Sequence, residues 1–379
     1  MLIRSSKSNL VHRKGGYVRS LKALATFPKF ACPIAELGIL ATLGMLVFAV
    51  PTASAQGLDA LYQSAKAEGT VVLYEGGPAA PWEALAKEFS SRYPGITVKV
   101  TGGKSNILDK QIDSQLADGK LNVDLVIIQT LQDFARWKQQ GVLLEFKPQG
   151  FDKIDPASKD ADGAYVAVMI HAHPYAYNPN LVKPAEIPRS ALDFLAPRFK
   201  GKVVSAYPTD DDSTLYTFYS IVQKYGWSYM DRYMANEPRF IEGHLGVARS
   251  IASGESLVTF DTIASFSMGQ KNQGQPQGIA FSEVDRLPIW PFTAAIFKSA
   301  PHLNAAKLFL SWYLAPEQQE KIGTWSPRSD VPAPYGWKPV MSYKVLNNYR
   351  EFLANTRQLE ELRKRFESYI GPVKDGGGR

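Results

Sequence analysis

Several loops that follow predicted strands carry residues that suit the binding of a small polar molecule. Gly76 and Gly77 follow the first predicted strand, and glycines let a backbone approach a ligand closely. Gln129 and Thr130 follow the third predicted strand and offer neutral hydrogen-bonding groups. Ligands of open α/β sheets collect at the carboxyl ends of strands, so these four residues are predicted to bind a ligand.

A glycine-rich loop after the second predicted strand combines flexibility with positive charge. Gly102, Gly103, Lys104 and Ser105 follow that strand and open a predicted helix. Free backbone N–H groups at a helix N-terminus attract anions, and Lys104 adds charge, so Gly103, Lys104 and Ser105 are predicted to contact a ligand. The alternative is a simple turn in which Ser105 caps the helix.

Acidic side chains follow strands in the second half of the chain. One loop places three acids and a hydroxyl between a strand and a helix, namely Asp210, Asp211, Asp212 and Ser213. Asp261 and Thr262 follow a later strand at another helix start. These six residues are predicted to meet an amine or a hydroxyl-rich ligand, and the alternative is that they cap helices or face solvent. Because the loops carry both signs of charge, they favour a zwitterion or a polyol.

Two histidines and a tyrosine lie on a long extended stretch. His171 and His173 alternate, which places both on one face of a strand and makes them weak candidates for a metal site. A zinc or copper site needs further ligands, and the other histidines after residue 55, His244 and His302, are distant in sequence. Tyr175 is predicted to line a cleft, although a strand tyrosine more often packs in a core. We expect no metal and no cofactor.

Catalytic motifs are absent from residues 56–379. The segment contains no G-x-S-x-G elbow, no S-x-x-K pair and no H-E-x-x-H helix. Acid/base chemistry would have to come from the acidic run 210–212, for which no facing partner is evident. The sequence therefore favours a binding protein over an enzyme.

The apolar residues between these loops alternate between strand and helix patterns. A first helix has apolar residues at Leu58, Leu61 and Ala65. The predicted strands that follow are 70–74, 96–100 and 123–128, with helices beginning near Pro81, Ser105 and Leu131. Strands separated by helices imply a mostly parallel sheet that is covered on both faces.

Two extended passages, Tyr165–Tyr177 and Ile279–Phe297, interrupt this alternation and predict two crossings between lobes. A second alternation lies between them, with strands 202–206 and 257–260, a helix from Ser213 and a helix ending at Ser253–Gly254; helices around 303–315 and 342–369 complete the chain. We therefore predict an α/β fold with two lobes and a ligand cleft between them. The predicted boundaries are 1–55 for a signal peptide, 56–170 and 286–335 for lobe 1, and 171–285 and 336–379 for lobe 2.

Residues 1–55 resemble an export signal. They hold seven basic residues and one acid, then the apolar run Leu37–Val50, and then Ala53-Ser54-Ala55, which predicts cleavage before Gln56. The apolar run is short for a membrane span, although a retained anchor is the alternative. The net charge of +7 comes mainly from this segment, so nucleic-acid binding is not expected. The one cysteine, Cys32, also lies there, so the exported chain has no disulfide.

Seven segments, in order over nearly the whole exported chain, resemble the extracellular solute-binding proteins of bacterial ABC importers. They are Ala67–Tyr74, Phe89–Ile96, Asp124–Ile127, Phe199–Val204, Ile251–Glu255, His302–Leu310 and Trp325–Val331. The likeness is to family 1, near the branch of ferric-ion binders. Those binders carry adjacent tyrosines that ligate iron, whereas residues 261–266 read Asp-Thr-Ile-Ala-Ser-Phe and no Tyr-Tyr pair occurs anywhere, which argues against direct iron binding.

The resemblance implies a type 2 periplasmic-binding fold that closes around its ligand by hinge motion. It implies a periplasmic carrier, expected to be a monomer without catalytic activity, whose partners are a small polar solute and an ABC permease in the inner membrane. The alternatives are a secreted hydrolase or transferase that uses the cleft acids, and a ligand sensor for a membrane receptor. Polyamines, phosphonates, thiamine-like cations, sugars, oxyanions and metal ions all remain open as solutes.

Overall fold

The first part of the chain alternates helices and strands, as its apolar pattern predicts. The computed structural model describes residues 53–374; the predicted apolar signal segment and Cys32 lie outside the described residues. The elements up to the first crossing are α1 (Ala53–Glu68), β1 (Thr70–Gly76), α2 (Ala79–Arg92), β2 (Thr97–Gly103), α3 (Ser105–Ala117), β3 (Leu125–Ile128), α4 (Leu131–Gln139) and β4 (Val166–Ala172).

The chain then builds a second lobe and returns. The second lobe contains β5 (Tyr175–Tyr177), β6 (Val204–Ala206), α5 (Asp212–Tyr225), α6 (Ser228–Ala235), β7 (Arg239–Ile241), α7 (His244–Ser253), β8 (Val258–Thr259), α8 (Ala264–Asn272) and β9 (Gly278–Ala280). The remaining elements are β10 (Leu287–Ile296), α9 (Leu303–Tyr313), α10 (Pro316–Gln319), β11 (Val345–Leu346), α11 (Tyr349–Ala354) and α12 (Thr356–Ile370).

The sheet of the first lobe is mixed. Its strands follow the order β11-β10-β3-β1-β2, and β4 also pairs with β10. β1 runs parallel to β2 and β3, whereas β10 runs antiparallel to β3 and β4. The returning strand β10 therefore makes this sheet less parallel than the helix–strand alternation predicts. The parallel strands place the carboxyl ends of β1, β2 and β3 at one edge, which faces the second lobe.

The second lobe has shorter strands. β5 pairs antiparallel with β8 and β9, and β6 pairs parallel with β7. A parallel bridge between Val203 and Val258 joins these two groups. Its core is aromatic: Phe218 of α5 contacts Phe260, Tyr233 and Phe366 with ring centroids 5.0–5.9 Å apart.

Both predicted extended passages are strands that cross between the lobes. β4 and β5 are separated by His173 and Pro174 alone, and β9 is joined to β10 by residues 281–286. Two adjacent crossings, with β4 hydrogen-bonded to β10, form the geometry of a hinge.

The helix predicted around 342–369 is not continuous. Residues 345–346 instead pair with β10, and two helices follow, with the Asn355 side chain accepting a hydrogen bond from the Gln358 N–H at the start of α12. An asparagine that caps a helix start competes with a helix continuing through it, which explains the break. Among the described residues, no helix has both the length and the apolar character needed to cross a bilayer.

A buried aspartate ties three elements of the first lobe together. Asp124 is fully buried just before β3, and its carboxylate accepts hydrogen bonds from the Val72 N–H of β1 at 2.7 Å and from the His302 N–H at 2.9 Å. The His302 imidazole lies 2.9 Å from the same group, at the start of α9.

We predict that Asp124→Ala lowers the free energy of unfolding by about 3 kcal/mol, because it leaves buried donors on β1 and α9 without an acceptor. Denaturant unfolding measures this value, and Asp118→Ala at the exposed end of α3 serves as the control. A loss equal to that of the control would show that Asp124 does not hold these elements together.

Candidate functional site

A cavity of about 520 Å³ lies between the two lobes. The first lobe contributes the end of β1, the first turn of α2 and Tyr313 of α9. The second lobe contributes Leu245 of α7 and one face of α8, including Ser265 and Phe266. The crossing strands contribute His171 of β4 and Phe292 of β10, so a hinge motion would change the shape of this cavity directly.

The carboxyl group of Glu75 is the most unusual group of this cavity. Glu75 is the penultimate residue of β1, is 1% exposed, and has no hydrogen-bond partner for its Oε1 atom. Burial raises the pKa of Glu75 to about 9, and hydrogen bonding from Trp82 offsets only part of this shift. A buried carboxyl group without a full set of partners is costly, so this group is a candidate for ligand contact.

Two further lining residues have polar atoms without partners. Gln318 donates from Nε2 to Glu88 at 3.0 Å, but its Oε1 is buried and unpartnered. His171 has an unpartnered Nδ1, and burial lowers the pKa of His171 to about 3, so its ring is neutral. Glu75, Gln318 and His171 are each at least nine-tenths buried and line the same cavity.

The glycines predicted to contact a ligand have two roles. Gly76 and Gly77 both line the cavity. A Cβ on Gly76 would lie 2.2 Å from the Ser105 hydroxyl and 3.2 Å from Phe292, so Gly76 allows close packing inside the protein. Gly77 has φ +149°, and Gly103 lies in β2 and accepts a hydrogen bond from the Gly77 N–H at 2.8 Å. Gly103 therefore supports the Gly77 turn.

Lys104 does not provide a free positive charge for an anion. Its Nζ lies 2.7 Å from Asp210 and 2.9 Å from Glu242, both of which belong to the second lobe. Burial opposes the charged form, but hydrogen bonds to these two acids outweigh it and raise the pKa of Lys104. Two of the predicted site residues, Lys104 and Asp210, thus pair with each other across the cleft.

The predicted cap of α3 by Ser105 is wrong. Lys104 has the extended backbone of the N-cap, and Ser105 is the first helical residue, buried against Gly76. The Ser105 hydroxyl instead accepts a long hydrogen bond of 3.4 Å from the Gln129 N–H, because its side chain points towards β1 and β3.

Gln129 is a second link between the lobes. Its Oε1 accepts a hydrogen bond from the Trp290 indole at 3.0 Å, and its Nε2 lies 3.5 Å from Asp211 of the second lobe. The neighbouring Thr130 is buried at the start of α4, and its hydroxyl has no partner.

The acidic run of the second lobe has structural partners. Asp211 caps α5 by accepting hydrogen bonds from the Ser213 and Thr214 N–H groups, as the alternative interpretation predicts. The Ser213 hydroxyl also donates to Asp211 at 2.6 Å, and Asp212 forms an ion pair with Arg363 of α12. Asp211 and Asp212 are therefore held by their own lobe.

Asp261 and Thr262 do not cap α8, contrary to the alternative interpretation, since the N-cap is Ile263 and has no side-chain hydrogen bond. Both residues are fully buried. Asp261 accepts hydrogen bonds from the Ser205 hydroxyl at 2.7 Å and from the Ala206 N–H at 2.8 Å, and Thr262 pairs with the Ser267 hydroxyl. They join β6, β8 and α8 inside the lobe.

Asp261 also meets two histidines in a buried cluster. His173, His244 and Asp261 have ligand atoms within 4.8 Å of one another, a grouping that excludes His171. Burial alone would raise the pKa of Asp261, but the His244 imidazolium and its hydrogen bond bring that pKa down to about 2. Burial alone would lower the pKa of His244, but the negative charges of Asp261 and Asp211 raise it above its usual value.

The donor set of this cluster fits a hydrogen-bonded network better than a metal site. The His173 Nδ1 lies 2.7 Å from the Thr217 hydroxyl, and the His244 Nε2 lies 2.9 Å from the Thr214 hydroxyl. Asp261 already accepts from backbone and hydroxyl donors, and the His244 Nε2 is within hydrogen-bond distance of a hydroxyl, whereas the His173 Nε2 has no hydrogen-bond partner. His171, the other candidate for a metal ligand, is not part of this cluster, since it lines the cavity between the lobes.

Tyr175 lies away from the cavity between the lobes. Its hydroxyl donates to Asp285 at 2.7 Å, and it lines a separate cavity of about 250 Å³ whose walls include residues of α5, β10 and β11. Burial and the charge of Asp285 raise the pKa of Tyr175, so the phenol is neutral.

Most residues that line the larger cavity are not among those predicted from the sequence. The predicted residues mostly follow strands, whereas Glu75 is still inside β1, and Trp82, Phe266 and Gln318 lie on helices. The one feature of the sequence that could have indicated this cavity is Glu75, an acid at the end of an otherwise mainly apolar strand.

A family model described as bacterial extracellular solute-binding protein matches residues 75–320. A protein of Haemophilus influenzae described as uncharacterized is 23% identical over 299 residues, which cover 75% of this chain and 80% of the relative.

Two solved structures show the same fold. Iron-bound HitA from Pseudomonas aeruginosa is 19% identical with a TM-score of 0.61, covering 78% of this chain and 99% of its own. AfuA from Actinobacillus pleuropneumoniae with fructose-6-phosphate is 20% identical with a TM-score of 0.65, covering 80% of this chain and 98% of its own.

We predict that Glu75→Gln changes how stability depends on pH. The carboxyl group holds its proton up to a pH of about 9 in the folded state but only to about 4.5 when unfolded. The folded wild type is therefore most stable at low pH. As the pH rises between these two values, its free energy of unfolding falls relative to that of Glu75→Gln, by up to about 1.4 kcal/mol per pH unit.

Denaturant unfolding of both proteins across this pH range measures the difference. The control is Glu83→Gln on the exposed face of α2. Parallel pH profiles for the wild type and Glu75→Gln would contradict the buried, protonated state of Glu75.

Proposed function

The chain belongs to the family of bacterial extracellular solute-binding proteins, which serve ABC transporters, and we propose that it captures its solute in the cavity between its two lobes. The supporting observation is that both lobes and both crossing strands contribute walls to one cavity of about 520 Å³. A solute that contacts both walls stabilises the closed arrangement, and differential affinity for closed over open lobes is all that a carrier requires.

Side chains outside the cavity support closure. Lys104 of the first lobe pairs with Asp210 and Glu242 of the second, and Gln129 reaches Asp211. These contacts form when the lobes are together, so they add to the stability of the closed form. We refer to the Lys104–Asp210–Glu242 group as the latch.

We propose that the solute is released unchanged. The acids that the sequence offers to a hydrolase or transferase at the strand ends are held by other groups: Asp211 caps α5, Asp212 pairs with Arg363, and Asp261 accepts from β6. A general acid or base needs to reach a substrate atom, and these carboxylates are directed to protein donors instead.

The delivery route follows from the family. We propose a monomer in the periplasm that presents both closed lobes to an ABC permease of the inner membrane, after cleavage of its leader before Gln56. Closure gives the permease a means of recognising the loaded carrier, because the relative position of the two lobe surfaces then depends on the solute.

We predict that the solute compacts the protein. Small-angle scattering of the ligand-free and solute-loaded protein should give a smaller radius of gyration for the loaded form, with the solute identified by mass spectrometry after release from protein purified without refolding. Bound solute together with an unchanged radius of gyration would contradict the closure mechanism.

We further predict that Lys104→Met weakens solute affinity by a factor of about two to five, because a partly exposed ion pair contributes at most about 1 kcal/mol. Titration calorimetry measures the affinity, and Lys110→Met on the exposed face of α3 is the matched control. Equal affinities for the two variants would remove the latch from the closing mechanism.

A further inference from the structure

The cavity between the lobes has unpartnered oxygen acceptors at buried positions. Glu75 Oε1 and Gln318 Oε1 lack a hydrogen-bond donor, and both side chains are more than nine-tenths buried. An oxygen acceptor that loses water on closure is stabilised only if the ligand brings a donor. A ligand that carries N–H groups meets this requirement.

The charges of the lining favour a cation over an anion. Among the residues that line the cavity, Glu75 and Glu88 are acids, and Lys321 is the one lysine or arginine. Lys321 pairs with Glu88 at 2.8 Å, which leaves Glu75 without a counter-charge. The lining therefore offers no free cation to an anionic ligand or to the negative end of a zwitterion, whereas Glu75 can lose its proton and become the counter-charge of a bound cation.

Aromatic side chains form a large part of the remaining walls. Trp82, Phe266, Phe292 and Tyr313 line the cavity together with Met169, and the α8 side of the cavity adds three neutral polar side chains, Ser265, Gln270 and Gln273. Aromatic faces attract an organic cation and also contact its apolar part. A polyol, with a hydroxyl group on each carbon, would leave unpaired those hydroxyls that meet the aromatic faces.

Phenolate chemistry does not suit this cavity. Burial raises the pKa of Tyr313, and the neighbouring Glu75 adds to the shift, so the phenol keeps its proton. A ligand that requires a tyrosinate, such as a hard metal ion, therefore finds a neutral hydroxyl at this position.

From these observations we infer that the cavity binds an organic ammonium compound, with its N–H group on Glu75 and its apolar part against Trp82, Phe266 and Phe292. The inference rests on the proposed function, because it assigns the solute class of the same cavity. Gln318 provides a second acceptor for a ligand that has more than one N–H donor.

Binding of such a cation is accompanied by ionisation of Glu75. Since burial raises the pKa of Glu75 to about 9, the free protein carries a neutral carboxyl group at neutral pH, and the ammonium group displaces the proton. The groups that face Glu75 are the Trp82 indole, the neutral Tyr313 and His171 rings, and the Glu88–Lys321 pair, so Glu75 is the group that titrates.

The first experiment compares ligands of one shape and different charge. Butylamine and phenethylamine are tested beside butanol, phenethyl alcohol, butyrate and phenylacetate by thermal shift and calorimetry of the full exported chain. The amines should raise Tm and bind at least about tenfold more tightly than the alcohols, with no binding of the carboxylates. Equal or stronger binding of an alcohol or a carboxylate overturns the inference, as does the absence of binding by both amines.

The second experiment locates the contact. Glu75→Gln should weaken amine binding by about tenfold to a hundredfold, because it removes a charge-assisted hydrogen bond, and Glu83→Gln should not change it. Calorimetry in buffers of different ionisation enthalpy should show release of about one proton per amine for the wild type and none for Glu75→Gln. Unaltered affinity in Glu75→Gln, or no proton release by the wild type, overturns the assignment to Glu75.

A variant on the second lobe gives an independent test that leaves the buried carboxyl group intact. Phe266 is partly exposed on α8, so Phe266→Ala is compatible with folding, and it should weaken phenethylamine more than butylamine. Equal effects on the two amines would contradict contact between this ring and the apolar part of the ligand.

The inference and the proposed function fail in different ways. If the solute released from the purified protein is an anion or a polyol, and it compacts the protein with an affinity that Glu75→Gln leaves unchanged, the ammonium class is wrong and the carrier function stands. If amines bind at Glu75 but scattering shows no compaction, the ligand class stands and the closing mechanism fails.

Discussion

A carboxyl group taken out of water must gain a proton, a donor or a counter-charge, and this constraint governs the cleft. Glu75 lies at the carboxyl end of β1, where the parallel strands of the first lobe meet the second lobe, and its Oε1 has no donor from the protein. Trp82, Phe292 and Tyr313 remove it from solvent. The protein therefore has an acceptor without a hydrogen-bond donor at the point where the two lobes close, and the solute can supply that donor.

Recognition and closure are assigned to different residues. The polar loops that follow the strands contact one another across the cleft, through Lys104 with Asp210 and Gln129 with Asp211. These contacts stabilise the closed arrangement of the two lobes. The cavity itself has several aromatic side chains in its lining and contains few charges. Because His171 and Phe292 lie on the two crossing strands, hinge motion and ligand contact involve the same backbone.

The fold was predictable from sequence because its signals are local. Apolar periodicity located the strands and helices of the first lobe, and two long extended passages indicated the crossings. The mixed character of the sheet was not predictable, since β10 joins β3 after more than 150 residues of intervening chain. The break in the C-terminal helices depends on Asn355, whose capping role is visible only in three dimensions.

The cavity was predicted less well than the fold, because its residues meet through tertiary contacts. Gly76 and Gly77, two of the residues predicted to bind a ligand, line the cavity, whereas Lys104 and Asp210 are 106 residues apart and neutralise each other's charge. Glu75 was overlooked because it lies inside a strand, and Phe266 because nothing in a helix sequence tells which face meets the other lobe.

The most direct measurement is a crystal structure of the protein with its co-purified solute. We predict density between α2 and α8, with a nitrogen of the solute within hydrogen-bond distance of Glu75 Oε1 and carbon atoms against Phe266. Density for a solute in the separate cavity beside Tyr175 would contradict this binding mode. So would a solute oxyanion bound to Lys104 after the ion pair between Lys104 and Asp210 has broken.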